Sequence, residues 1–311
     1  MARITVYEVG PRDGLQNEAR EVATERKLAL VTALADAGLS RIEATSFVSP
    51  RWIPQLADAA EVVARLPRRP GLGYVVLVPN AKGLDRLLEA LARAPERPRV
   101  DAAVFMSASE THNQKNIAKS IAETWPVFEE VLSRALGEGL AVRGYVSTAL
   151  GCPYEGRVAP ERVVEIAARL LDLGCHQVSL GDTIGVGTPN QVRDLAARML
   201  SRARPEQVAL HLHDTRGTAL ANVLAGLEAG ITTFDSSIGG LGGCPYAPGA
   251  SGNLATEDLV YMLHGMGHET GIDFEKLVAA GVLAQDVVGR TLPGKALQAE
   301  LGARARAARA S

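Results

Sequence analysis

Two histidines spaced one residue apart, His211 and His213 in His-Leu-His-Asp, are the sharpest chemical signal in the chain. They close a β-rich run that begins at Val208, and on a strand residues i and i+2 project to the same face. Two imidazoles crowded on one face repel when protonated, and a shared metal ion relieves that repulsion. The plainer reading makes one of them a core histidine bonded to backbone. Asp13, in Gly10-Pro11-Arg12-Asp13-Gly14-Leu15-Gln16-Asn17-Glu18, adds a carboxylate just past another strand. One carboxylate and two imidazoles with positions left for water suit Mg2+ or Mn2+, whereas a set of thiolates would indicate zinc. An amide such as Asn253 could complete the protein's share of an octahedron. Asp13 could instead cap a turn, and Asn253 a helix beginning near Leu254.

Arg12 stands beside Asp13, where a fixed guanidinium can hold a carboxylate or stabilise an enolate oxygen. Its other natural partner is Glu43, placed inward on a strand at 41–46, and the two roles are compatible. Of the three cysteines, Cys152, Cys175 and Cys244, two lie in the same tetrapeptide, Gly-Cys-Pro-Tyr, at 151–154 and 243–246. Glycine and proline beside each expect a loop that exposes the thiol enough to react. Spacing alone does not choose between them. Residues 239–253 hold six glycines and two prolines, which reads as a lid carrying Cys244, a thiol that can move protons if nearby charge lowers its pKa. A phosphate cradle is the other reading, but the Lys-Ser/Thr ending of a P-loop is absent.

The elements that must position these residues alternate. Strand patterns are expected at Ile4–Val9, Arg41–Ser46, Leu72–Val78, Val100–Met106, Ala141–Ser147, His176–Leu180, Val208–His213 and Thr232–Ser237. Helical patterns lie between them, including Thr24–Ala37, Asn116–Leu136, Pro160–Leu173, Pro189–Arg202 and Thr218–Ala229. Glycine follows several (Gly38, Gly139, Gly174, Gly230), as at helix C-caps. Strands that alternate with helices pair in parallel. Eight of them, with no G-x-G-x-x-G after the first, favour an α/β fold of the TIM (β/α)8 type over an open sheet. The expectation is one catalytic domain over residues 1–311 with additional C-terminal helices from about 270 to 311. Those helices, Phe274–Val288 and Lys295–Arg309, would pack on the barrel or on a neighbouring subunit. In such barrels chemistry sits at the C-terminal strand ends, and Arg12, Asp13, Glu43, His211, His213, Cys244 and Asn253 fall on or after those strands.

Composition excludes several alternatives. With 311 residues, 47% of them hydrophobic and a net charge of −2, the chain can build a large core and lacks the basic excess that nucleic acid requires. The arginines at 304, 306 and 309 read as a solvated helix face. No apolar stretch reaches membrane-spanning length, Arg309-Ala310-Ser311 is not a peroxisomal signal, and the strand pattern starting at Ile4 leaves no room for a leader. Cytoplasm is the expected compartment.

The motifs quoted above, with Glu43-Ala44-Thr45-Ser46-Phe47-Val48-Ser49-Pro50 and the glycine run ending at Asn253, resemble the 3-hydroxy-3-methylglutaryl-CoA lyase family, in the family's order and from about residue 4 to about 290. Arg-Asp and His-x-His are shared with the wider metal-dependent aldolase and Claisen-type barrels; the cysteine-bearing glycine loop points to the lyase. The resemblance implies metal ligation by Asp13, His211, His213 and Asn253, with catalytic roles for Arg12 and Cys244, and for His211 or Asp13 as a proton carrier. It implies substrate-binding or supporting roles for Gln16, Glu43, Tyr145, Asp182 and Thr183. It further implies an acyl-CoA substrate, no organic cofactor and a homo-oligomer, expected as a dimer. Lys82, Asn113, Lys115 and Arg157 are candidates, from loop position alone, to meet a CoA handle. The departures are Ala19, at a commonly basic position, and a tail without the extra cysteines of some mitochondrial members. A lyase for another branched 3-hydroxyacyl-CoA, a condensing synthase and a non-catalytic metal-binding barrel are the competing functions.

Overall fold

The structure, a computed structural model, describes residues 3–243 and 252–310. Eight parallel strands close on themselves in chain order: β1 (Thr5–Glu8), β2 (Arg41–Ser46), β3 (Gly73–Leu77), β4 (Val100–Ser107), β5 (Val142–Ser147), β6 (Gln177–Asp182), β7 (Val208–Leu212) and β8 (Thr233–Ser236). The barrel is sealed where Thr5 to Glu8 of β1 lie in register with Thr233 to Ser236 of β8. Around it run α1 (Thr24–Asp36), α2 (Ala59–Ala64), α3 (Ala81–Arg93), α4 (Glu110–Ile117), α5 (Ile121–Gly137), α6 (Pro160–Asp172), α7 (Pro189–Leu200) and α8 (Ala219–Glu228). Then come α9 (Thr256–Gly265), α10 (Phe274–Val288) and α11 (Lys295–Ala310). None of the described helices is long and apolar enough to cross a membrane.

The main apolar core lies between barrel and helices, as strand alternation in a barrel requires. A second, smaller cluster (Tyr7, Val9, Val75, Leu77, Ala103 and Tyr145) fills part of the barrel interior. The rest of that interior is polar: Glu43, Arg143, Gln177, Ser179 and Asp235 are all buried there. Aliphatic side chains usually dominate these layers, so the floor of this barrel is built for something other than packing alone. Helix α10 packs against α1, and Asp214, just past β7, bonds Lys295 of α11 at 2.8 Å, so both C-terminal helices dock on the barrel.

Two expectations on the fold need correction. The helix expected over Asn116–Leu136 is two helices. Ala118 adopts φ 56°, a left-handed conformation that ends α4, and Ser120 with Glu123 forms a capping box that starts α5. The Ser-x-x-Glu signal was present in the sequence and marks a helix start. Likewise α9 begins at Thr256, not Leu254, because Leu254 N bonds Leu212 O at 3.0 Å and Asn253 bridges to His213.

Two buried carboxylates tie the top of the barrel together. Glu8 accepts from Gly10 N (2.7 Å), Ile238 N (2.9 Å) and Thr256 Oγ1 (2.7 Å), and Gly10 must be glycine because a Cβ would stand 2.6 Å from that carboxylate. Glu257 accepts from Gly239 N at 2.7 Å. Burial pushes Glu257 up to about 8. A folded-state value above the unfolded one means that the protonated form is favoured in the fold. Its contribution is fully present below pH 4.5 and lost as pH rises through about 8. Glu257→Gln is therefore expected to flatten the decline in stability between pH 5 and 9, a difference of up to several kcal/mol at about 1.4 kcal/mol per pH unit. Urea unfolding of both proteins across that range checks it; parallel pH profiles would contradict it.

Candidate active site

Two residues past β1 a π-helical turn begins, Gly10–Gly14, in which Asp13 N and Gly14 N both bond Val9 O. Such turns concentrate at functional sites, and this one turns Arg12 and Asp13 over the barrel mouth. His211, on the last turn of β7, and His213, just beyond it, reach the same point. Ligand atoms of Asp13, His211 and His213 all lie within 4.8 Å of one another. His211 Nε2 stands 3.3 Å from His213 Nε2 and 4.0 Å from Asp13 Oδ2. Burial alone would raise the Asp13 carboxyl, but Arg12 and the two imidazoles hold it at about 2. Burial and the neighbouring His211 push His213 down to about 4. A charged carboxylate facing a neutral imidazole is the protonation state a divalent ion needs.

Asn253 comes to this cluster through its bridge to His213. In the arrangement seen, its Nδ2 donates to Asp13 Oδ2 (2.8 Å) and Leu241 O (3.1 Å), while Oδ1 is buried without a partner. Gly242, at φ 115°, makes room for this amide: a Cβ there would lie 2.6 Å from Asn253 Nδ2.

Arg12 is held on two sides, by Asp13 Oδ1 at 2.7 Å and by Glu43 Oε2 at 2.8 Å. Burial raises the Glu43 carboxyl against the pull of Arg12. Gln16 braces the same group, donating to Asp13 Oδ1 at 3.0 Å. Tyr145 OH donates to Glu43 Oε2 at 3.2 Å and accepts from Arg143 Nη1 at 2.6 Å. Thr183 lines the cavity and its hydroxyl accepts from Thr148 N at 2.7 Å, pinning a β-branched residue at φ 59°, a costly conformation that clusters at functional sites. Asp182 does not join the cluster; its oxygens accept from Val186 N (3.0 Å) and Gly187 N (2.9 Å), stapling the loop after β6.

The two cysteine loops differ. Cys244 lies outside the described residues, as does most of the glycine run read as a lid. Cys152 corrects the expectation of an exposed thiol: it is 3% exposed, its Sγ donates to Ser109 Oγ (3.0 Å) and accepts from Tyr154 N (3.3 Å) and Glu155 N (3.4 Å). The tight Cys152–Gly156 bridge turns it inward. Cys175 sits in the outer core, where burial pushes its thiol up to about 12. Cys152→Ser is expected to keep near-wild-type turnover while costing about 1–2 kcal/mol of stability; a large loss of turnover in a folded variant would give this thiol a part in the chemistry.

A cavity of about 640 Å3 opens over the cluster, its lining shared by Arg12, His211, Phe105, Lys115, Lys119 and Trp52. Of the four residues proposed from loop position to meet a CoA handle, Lys115 lines it, whereas Lys82, Asn113 and Arg157 do not. Asn113 spends its amide on Ser107 N, Lys119 O and Thr124 Oγ1. The sequence reading missed Asp235, which lies beside His211; an acidic residue inside the strand pattern Thr-Phe-Asp-Ser was the available signal, since a buried charge must be paired.

A closed (β/α)8 barrel with a carboxylate, two imidazoles and a fixed guanidinium at its C-terminal strand ends defines a barrel enzyme of the metal-dependent kind. The HMGL-like family model matches residues 3–283, and the chain belongs to that family, whose members depend on a metal. It is 49% identical over 301 residues to the cytoplasmic 3-hydroxy-3-methylglutaryl-CoA lyase of Rattus norvegicus, covering 97% of this chain and 86% of that protein. It superposes on the HMG-CoA lyase of Bacillus subtilis with a TM-score of 0.91 and 48% identity, covering 96% and 98% of the two chains. An HMG-CoA lyase from Acinetobacter baumannii, solved with coenzyme A and 3-methylmalate, gives a TM-score of 0.89 and 41% identity over 96% and 95%.

Proposed function

We propose that this protein is a lyase that cleaves 3-hydroxy-3-methylglutaryl-CoA to acetyl-CoA and acetoacetate. The observation that carries the reading is the convergence of Asp13, His211 and His213 beside Arg12, in a chain nearly half identical to HMG-CoA lyases along its length. Asp13, His211 and His213 would hold a divalent ion, for which Mg2+ or Mn2+ suits the donor set. The buried, partnerless Asn253 Oδ1 marks a site whose polar groups are not satisfied by protein alone. When bound, the ion supplies Lewis-acid polarisation of the substrate's tertiary hydroxyl.

The chain's own residues account for the rest. Cleavage transfers the hydroxyl proton to a base, turns the C–O bond into the ketone of acetoacetate and breaks C2–C3, whose electron pair becomes a thioester enolate. Asp13 and His211 are the groups at hand for that proton, and whichever serves must keep a lone pair that the ion does not take. Arg12, permanently charged and fixed by Asp13 and Glu43, stabilises the enolate oxygen. Return of a proton to C2, for which Cys244 is the proposed donor, gives acetyl-CoA. Apolar Phe105 and Val48 in the cavity wall would seat the acyl chain, with Lys115 and Lys119 facing the CoA handle.

A panel of 3-hydroxyacyl-CoAs tests the substrate. The reading expects acetyl-CoA and acetoacetate in equal amounts from 3-hydroxy-3-methylglutaryl-CoA, and a lower kcat/KM for longer branched analogues. A clear preference for a longer analogue would assign the chain to a neighbouring specificity, and no cleavage of any would leave a binding barrel.

A further inference from the structure

We propose that Asp235 is a positioning residue for His211, fixing which imidazole nitrogen faces the metal site, and that Arg143 and Ser179 hold Asp235 for that purpose. The inference rests on the reading of His211 as a metal ligand. It begins with register: His211 of β7 lies directly beside Asp235 of β8, so both side chains enter the barrel at one level. His211 Nδ1 is 3.3 Å from Asp235 Oδ2, and among the described residues Asp235 is the one acidic group in ion-pair reach of that nitrogen. The opposite nitrogen, Nε2, faces His213 and Asp13.

Asp235 has little freedom to do otherwise. Its Oδ1 accepts from Arg143 Nη2 at 2.6 Å, and its Oδ2 from Arg143 Nη1 at 3.1 Å and Ser179 Oγ at 2.9 Å. Arg143 is itself locked: its guanidinium carbon lies 3.9 Å from the Tyr7 ring centroid and 4.7 Å from that of Tyr145, and Nε donates to Gln177 Oε1 at 2.9 Å. Both members of the pair are completely buried. A buried ion pair is at best a weak source of stability, since desolvation offsets attraction. Its retention under a ligand imidazole is explained if the carboxylate must stay in place as an acceptor. An Nδ1–H turned to Asp235 leaves the Nε2 lone pair for the ion, the arrangement in which outer carboxylates tune ligand histidines. His211 Nδ1 and His213 Nδ1 are both buried without a hydrogen-bond partner, but among the described residues His211 Nδ1 alone of the two has a carboxylate in ion-pair reach, so one imidazole of the two carries the orientation.

The test combines calorimetric titration of the wild-type protein with Mn2+ and 15N-histidine NMR of its metal-free form, with the His211 signals assigned by their loss in His211→Ala. The inference expects His211 in the Nδ1–H tautomer and Mn2+ binding weakened about 10- to 100-fold in Asp235→Asn. Ser179→Ala, which leaves the buried charges paired, is expected to weaken binding by less. If Asp235→Asn fails to fold, the wild-type tautomer and Ser179→Ala decide. An Nε2–H tautomer, or unchanged Mn2+ affinity in the folded variants, would overturn the positioning role while leaving the ligand reading intact. No Mn2+ binding by the wild type, or full binding by His211→Ala, would overturn the ligand reading and this inference with it.

Discussion

Arg12→Lys is expected to lower kcat about 100- to 1000-fold, the range for losing one preorganised donor to a developing oxyanion, with only a modest change in KM. Lysine keeps the charge but cannot span two partners as the planar fork does. Here the fork reaches Asp13 Oδ1 and Glu43 Oε2 at 2.7 and 2.8 Å, and its Nε is buried without a partner. That is a donor the protein has desolvated and left unused, which costs free energy unless the transition state employs it. An interaction made only in the transition state lowers kcat and kcat/KM together, whereas one made equally with bound substrate raises KM alone. Steady-state kinetics separate the two, and a change confined to KM would make Arg12 a substrate clamp.

His213→Ala is the second large effect. Divalent-ion affinity is expected to fall by more than the roughly 10- to 100-fold that marks loss of an outer-sphere partner, with turnover falling in step. His213 lies just past β7, outside the strand itself, and its bridge to Asn253 is made by backbone, so removal of its side chain should leave the fold standing. Calorimetry with Mn2+ measures the affinity directly. A folded His213→Ala protein that binds the ion as tightly as wild type would remove His213 from the ligand set.

The sequence was most legible where local chemistry decides. Arg41–Ser46 and Phe274–Val288 have the boundaries their patterns expect, and His-x-His on a strand led directly to the three-residue cluster because side-chain alternation is a local property. It was least legible where a partner comes from the far side of the barrel. Arg143 and Asp235 are 92 residues apart, and only closure and register bring them together. Arg143 was visible on its strand, but nothing in its neighbourhood named its counter-ion. Cys152 shows the opposite error: proline and glycine correctly marked a turn, but a turn can fold its thiol inward, and burial is not a local property. Asn253 was placed correctly near the cluster by order along the chain, while the side of its amide that faces Asp13 depended on the Leu241 carbonyl, which demands the nitrogen.

The central claim is that a divalent ion at Asp13, His211 and His213 is required for cleavage of the C2–C3 bond. It is tested most directly by turnover of 3-hydroxy-3-methylglutaryl-CoA after exhaustive chelation and after return of Mg2+ or Mn2+. The expected result is loss of acetoacetate formation in the chelated protein and its recovery on adding either ion. Full turnover by protein from which no metal can be detected would contradict the claim.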